Sequence, residues 1–135
     1  MIVDTSALLA FFDSSEPDHA AVARVIDAGA EPLVVSPYVV AELDYLIGSR
    51  LGVRAQTLAH AELAGGAWDL AAFGADDLAR AHSIIERYAD QHIGVADASN
   101  VVLAARHGTR TIVTLDRRHF GVLRPLDGGR FKVLP

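Results

Sequence analysis

Residues 1–12 read MIVDTSALLAFF. Met1, Ile2 and Val3 suit a buried strand, Thr5 and Ser6 can cap a helix, and Leu8, Leu9, Phe11 and Phe12 give that helix its apolar side. The stretch reads as strand, carboxylate, helix, with Asp4 at the strand's C-terminal end. In open parallel α/β sheets ligands bind outside that end, because loops and helix N-termini leave a crevice there. A carboxylate so placed suits a cation or a proton transfer. Simple capping of the helix is the competing reading, which this stretch alone does not resolve.

The rest of the chain continues the alternation. Ser15 as cap and Pro17 in the first turn open an amphipathic helix with Ala21, Val22, Val25 and Ile26, ended by Gly29. LVVS at 33–36 is a short buried strand, and Pro37 starts a helix with Ser36 as N-cap and Val39, Val40, Leu43, Leu46 and Ile47 on one face. Glu42 and Asp44 flank the centre of that face, each about 100° away, so periodicity does not choose between them. A further helix covers Val53 to Leu63 and stops at Gly65-Gly66, and AWDLAAF (67–73) is strand-like with Trp68 as core.

Asp76 or Asp77 caps a structural helix from Leu78 to about Ala89. The next helix starts near Ala96, buries Ala98, Val101, Val102 and Ala105, and ends at Gly108, which puts Asp97 in its first turn and Asn100 one turn on. Unpaired amides and the helix dipole favour a carboxylate there, a sufficient structural reason for Asp97 by itself. TIVTL at 111–115 is a second apolar strand ending on an acid, Asp116, as MIV ends on Asp4. FKVLP at 131–135 follows the turn signal Asp127-Gly128-Gly129 and closes the sheet as an edge strand. This alternation predicts one α/β domain over residues 1–135, a parallel sheet covered by helices on both faces.

The inventory narrows the chemistry. There is no cysteine, so disulfides, thiolate metal sites and a cysteine nucleophile are excluded, and the chain reads as a soluble, cytoplasmic protein without a signal or membrane anchor. The net charge of -5 hides an asymmetry: residues 106–135 carry six Arg and one Lys against two Asp, a local +5, leaving -10 for residues 1–105. An acidic body with a basic end segment can hold a phosphate backbone beside an acidic site, although Arg-rich loops are also ordinary solvated surface.

If the sheet is parallel, Asp4 and Asp116 share one edge, and helices beginning after neighbouring strands can bring Glu42 and Asp97 to them. Clustered carboxylates raise one another's pKa unless a cation neutralises them. An all-oxygen donor set favours Mg²⁺ or Mn²⁺ over zinc, and the six His show no HExxH spacing, so His92, His107 and His119 are expected at the surface or in loops. A carboxylate-held Mg²⁺ with its waters is chemistry for cutting phosphodiesters. Thr5, Ser6, Asn100 and Thr114 can hydrogen-bond ligands or phosphate oxygens, and Arg117 or Arg118 can hold the substrate backbone, with capping or turn formation as the alternative for each small polar residue.

In their order and spacing, MIVDTSAL, the Glu42 of SPYVVAEL, the Asp97 of IGVADASNVVLA and the Asp116 of TIVTLDRRHF resemble a PIN domain, specifically the VapC toxins of bacterial VapBC toxin-antitoxin pairs. The resemblance spans essentially the whole chain. It implies an α/β/α sandwich and a metal-dependent endoribonuclease that cuts structured RNA, tRNA or ribosomal RNA, to stop translation, held inactive by a cognate VapB antitoxin and forming a homodimer. By position, Asp4, Glu42 and Asp97 match the three core acids and Asp116 the fourth, more variable one, so the resemblance picks Glu42 over Asp44. It implies that Asp4, Asp97 and Asp116 ligate Mg²⁺ or Mn²⁺. Asn100 stands where some relatives carry another acid, which leaves one-ion and two-ion arrangements open. Two other readings are an aspartyl-phosphate phosphotransfer domain, for which a second acid of a DxD motif is missing, and a non-catalytic PIN-like interaction scaffold.

Overall fold

The structure is a computed structural model and describes residues 1–29 and 31–135. The described residues form five strands, β1 (Ile2–Val3), β2 (Leu33–Val35), β3 (Trp68–Leu70), β4 (Thr111–Val113) and β5 (Lys132–Leu134). Between them run helices α1 (Thr5–Phe12), α2 (His19–Asp27), α3 (Pro37–Leu51), α4 (Val53–Ala64), α5 (Ala75–Arg87), α6 (Val95–Arg106) and α7 (Arg117–Val122), with a 3₁₀ turn at Ala89–Gln91. All strand pairs are parallel, in the order β3-β2-β1-β4-β5.

The three central strands are buried on both faces, and side-chain alternation divides their residues between two cores. Val3, Val35 and Val113 face one layer, where they pack with Leu8, Val22, Val39, Leu43 and Trp68 of the first half of the chain. Ile2, Val34 and Ile112 face the other, against Ala98, Val101, Val102 and Leu103 of α6, Ile84 of α5, and Phe120 and Phe131. The expected α/β/α sandwich is therefore present, with β5 as one edge strand and β3 as the other.

Chain order reverses about β1: β2 and β3 lie on one side of it, β4 and β5 on the other. Such a switch point opens a crevice beyond the strands' C-terminal ends, between the helix that follows β1 and the segment that follows β4. The register Val3↔Val113 brings the next residues, Asp4 and Thr114, level at that crevice.

Several local expectations need correction. Ser15 does not cap α2: its backbone N–H and hydroxyl both donate to the Asp13 carboxylate, so residues 13–18 form a turn with Pro17 in it and the helix begins at His19. Neither Asp76 nor Asp77 is the N-cap of α5. That helix starts at Ala75 after Gly74, and Asp77 reaches back to accept from the Gly74 amide. Ala105 is exposed, because α5 and α6 pack through Ala81, Ile84, Val101 and Val102 instead. AWDLAAF shortens to a three-residue strand, and the short helix α7 over RRHFGV was not anticipated.

Truncating Ile112, fully buried in the middle of the sheet, is expected to cost about 2–5 kcal/mol in chemical denaturation, whereas Leu70→Ala on the half-exposed edge strand changes stability by well under about 1 kcal/mol.

Candidate active site

Asp4 follows β1 directly and is 5% exposed. It occupies the N-cap position of α1, yet its side chain makes no capping hydrogen bond. Its carboxylate is instead held from three sides. Thr114 Oγ1 donates to Oδ2 at 2.8 Å, Ser6 Oγ donates to the same oxygen at 2.8 Å, and Asn100 Nδ2 donates to Oδ1 at 3.0 Å. The hydroxyls of Thr114 and Ser6 outweigh the backbone amides at the start of α1 in holding this acid.

The neighbouring strands and helices deliver the other acids. Asp97, at the third position of α6, accepts from the Gly94 amide at 3.1 Å and so closes a capping box. Asp116 caps α7 by accepting from the His119 amide through Oδ1 at 2.9 Å, while its own amide donates to Thr114 Oγ1 at 3.0 Å. Glu42, on the second turn of α3, accepts from Thr5 Oγ1 at 2.6 Å. Asp44 is committed elsewhere: Gln56 Nε2 donates to it at 2.6 Å and His60 Nε2 lies 2.9 Å away, both on α4. Geometry thus separates two acids that periodicity left equivalent.

These groups line a cleft of about 390 Å³ together with Leu9, Glu16, Leu46, Arg50, Leu115 and His119. A larger cavity of about 490 Å³ beside the chain termini has Glu31 as its single acid, so chemistry rather than size selects the site. Burial pushes the Asp4 carboxyl above the ordinary carboxylate range, against the opposing pull of the Thr114 and Ser6 hydroxyls. Asp97 is raised as well, first by burial and further by the charges of Asp4 and Asp116, while the Gly94 amide and His119 oppose the rise.

The PIN domain family matches residues 1–123. A relative in Mycobacterium tuberculosis (strain ATCC 25618 / H37Rv), Ribonuclease VapC26, is 64% identical over 135 residues, covering 100% of both chains. The chain belongs to the VapC family of PIN domains. Among solved structures, the sarcin-ricin-loop-cleaving toxin VapC20 of M. tuberculosis superposes with a TM-score of 0.86 at 21% identity, covering 99% of this chain and 98% of that one. VapBC2 from Rickettsia felis, solved bound to a DNA fragment from its promoter, gives 0.71 at 14% identity, with 99% and 98% covered.

Within this VapC fold, Thr5, Ser6, Asn100 and Thr114 all act on the acids, and each was expected near the ligand. Thr114 and Asn100 are fully buried behind Asp4. Arg117 and Arg118 do not line the cleft. Arg117 Nη2 donates to the Pro135 carbonyl at 2.6 Å, and Arg118 is exposed outside the cleft. His119 departs from its expected surface placement. Its ring is only 20% exposed, with Nδ1 3.1 Å from Asp116 Oδ2 and 3.4 Å from Asp97 Oδ2. The missed signal is the spacing Asp116 to His119, since a capping acid and the third residue of its helix share one turn.

Among the described residues, no three His, Asp or Glu side chains already converge on one ion position. The donor chemistry nevertheless fits a hard divalent cation. Asp4, Asp97 and Asp116 supply only carboxylate oxygens, burial raises Asp4, burial and the charges of Asp4 and Asp116 raise Asp97, and Asn100 Oδ1 is a buried acceptor without a protein partner beside Asp4.

The raised acids make a signed prediction for the metal-free chain. Folded Asp4 holds its proton over a pH range in which the unfolded chain has lost it, so this group's contribution to stability falls as pH rises through that range. Asp4→Asn is expected to raise the melting temperature in EDTA at pH 7 and to remove this group's share of the pH dependence of stability, measured as melting temperature against pH.

Proposed function

We propose that the chain is a VapC toxin that hydrolyses phosphodiester bonds in structured RNA, tRNA or ribosomal RNA, using Mg²⁺ or Mn²⁺, and so inhibits translation. The observation that carries the reading is the meeting of Asp4, Glu42, Asp97 and Asp116, from four separate segments, in one cleft at the sheet's switch point. The relative named Ribonuclease VapC26 supports the activity. The toxin-antitoxin assemblies among the structural neighbours support a cognate VapB antitoxin as partner. A cytoplasmic homodimer belongs to the same reading, and no helix of the described residues is long and apolar enough to cross a membrane.

Asp4, Asp97 and Asp116 would hold the ion. When bound, it supplies Lewis acidity, lowering the pKa of water and offsetting charge on the phosphoryl oxygens. Asp4 enters this arrangement with its rotamer already set by Thr114, Ser6 and Asn100, so little conformational freedom is left to lose. His119 Nδ1 lies between Asp116 Oδ2 and Asp97 Oδ2, the latter being the oxygen that also accepts from the Gly94 amide. Glu42 is the acid most open to solvent and is oriented by the Thr5 hydroxyl, so it positions the attacking water and takes its proton. The water oxygen bonds to phosphorus as the in-line P–O3′ bond breaks, and the departing 3′ oxygen takes a proton from solvent, leaving a 5′-phosphate and a 3′-hydroxyl.

The test is cleavage of total bacterial RNA by the purified chain with Mg²⁺ or Mn²⁺, followed by mapping of the new 5′ ends. EDTA is expected to stop the reaction, and Asp4→Asn or Glu42→Gln to slow it by at least about 100-fold. Asp44→Asn, tied to α4 away from the cleft, is expected to retain parental activity. Cleavage that survives Asp4→Asn would remove the proposed mechanism, and a folded, Mn²⁺-binding chain that cuts no RNA would favour an interaction scaffold.

A further inference from the structure

The cleft is lined by five acids, Asp4, Glu16, Glu42, Asp97 and Asp116, and by one arginine, Arg50. A polyanionic substrate entering such a cleft is repelled wherever no cation faces it. The basic end segment does not provide that cation at the cleft, because Arg117 is turned to the Pro135 carbonyl and neither it nor Arg118 lines the walls. Arg50 does, and the fold explains why. Glu42, Leu46 and Arg50 follow one another at intervals of four along α3, so one helix face carries an acid, an apolar step and a guanidinium into the same cleft.

Eight residues of helix span roughly 12 Å, which sets the Arg50 backbone well beyond that of Glu42, with Glu16 as its neighbouring acid. Its partner in the structure is weak. Arg50 Nη1 and Glu16 Oε1 are 3.7 Å apart, beyond hydrogen-bond distance, with side chains 53% and 32% exposed. An ion pair of that kind contributes little and is easily exchanged. A phosphate offers the guanidinium two oxygens in a geometry matched to its planar fork, which the loose Glu16 contact does not.

We propose that Arg50 is a substrate-positioning residue: it binds a backbone phosphate flanking the scissile one, and Glu16 occupies it in the free protein and is displaced when RNA enters. This inference rests on the ribonuclease reading and adds to it the group that holds the substrate strand. The contact is made to the backbone, so Arg50 sets affinity and register and leaves base choice to other surfaces. Glu16 competes with the substrate for Arg50, which makes the free cleft less attractive to anions than its arginine alone would.

The experiment is steady-state cleavage of an RNA fragment spanning the mapped cut, by the full chain and by Arg50→Ala, Arg50→Lys and Glu16→Gln, at several salt concentrations. Arg50→Ala is expected to raise KM about tenfold with kcat nearly unchanged, and to reduce the slope of log(kcat/KM) against log[salt] by about 0.7–0.9, the loss of one phosphate contact. Arg50→Lys, with the charge but not the fork, falls between, and Glu16→Gln lowers KM. Mn²⁺ affinity, measured by calorimetry without RNA, stays at the parental value in all three. Unchanged KM and salt slope in Arg50→Ala overturn the proposal while leaving the ribonuclease reading intact, and a matching loss of Mn²⁺ affinity assigns Arg50 a structural role instead. No cleavage by the parent chain removes the ribonuclease reading and this inference together.

Discussion

The hydrogen bond from Thr114 Oγ1 to Asp4 Oδ2 joins two strands that are 110 residues apart in sequence, and the site is built around it. It exists because β1 and β4 pair in parallel with Val3 opposite Val113, so that both strands end at the same level. A slip of one residue would turn Thr114 to the other face of the sheet and leave Asp4 buried without its donor. Burying a carboxylate is unfavourable unless its lone pairs are satisfied. Ser6 from α1, Thr114 just after β4 and Asn100 from α6 meet that requirement together, and in doing so they tie three parts of the fold to one another.

The other acids carry structural duties alongside the chemistry proposed for them. Asp97 completes the N-terminal hydrogen bonding of α6, and Asp116 does the same for α7. Each thereby has one oxygen committed to backbone amides, which fixes the side chain's direction without an ion present. Behind them Ser36 and Ser99, both fully buried, are 2.6 Å apart and connect the start of α3 to the first turns of α6. That contact sets how the helix bearing Glu42 lies against the helix bearing Asp97. Preorganisation of this kind is a property of the sheet and its helix N-termini.

Charge is arranged along a gradient. Burial raises the deep acids Asp4 and Asp97, the charges of Asp4 and Asp116 raise Asp97 further, Glu42 is exposed to solvent, and the arginine stands at the far end of the helix face that carries Glu42. In the proposed reaction a polyanion and a divalent cation would meet different parts of one cleft, and the overall negative charge of the chain would not prevent an anion from being held locally.

Much of this was legible in the chain itself. Apolar runs ending on Asp4 and Asp116, and the amphipathic stretches between the strands, specified the parallel sandwich, because strand and helix periodicity are local consequences of backbone geometry. The position of Asp97 in a helical first turn was equally local. What the sequence could not determine were directions set by partners. Glu42 and Asp44 are equivalent on an isolated helix, and α4 separates them by capturing Asp44. His119 looked like a loop histidine until α7 formed and set its ring between two acids. In sequence the arginines beside Asp116 stand nearest the chemistry, yet the Pro135 carbonyl takes one of them, and Arg50 arrives from a helix more than sixty residues earlier. Side chains on element borders point wherever the neighbouring element offers a contact, and only tertiary packing decides which neighbour that is.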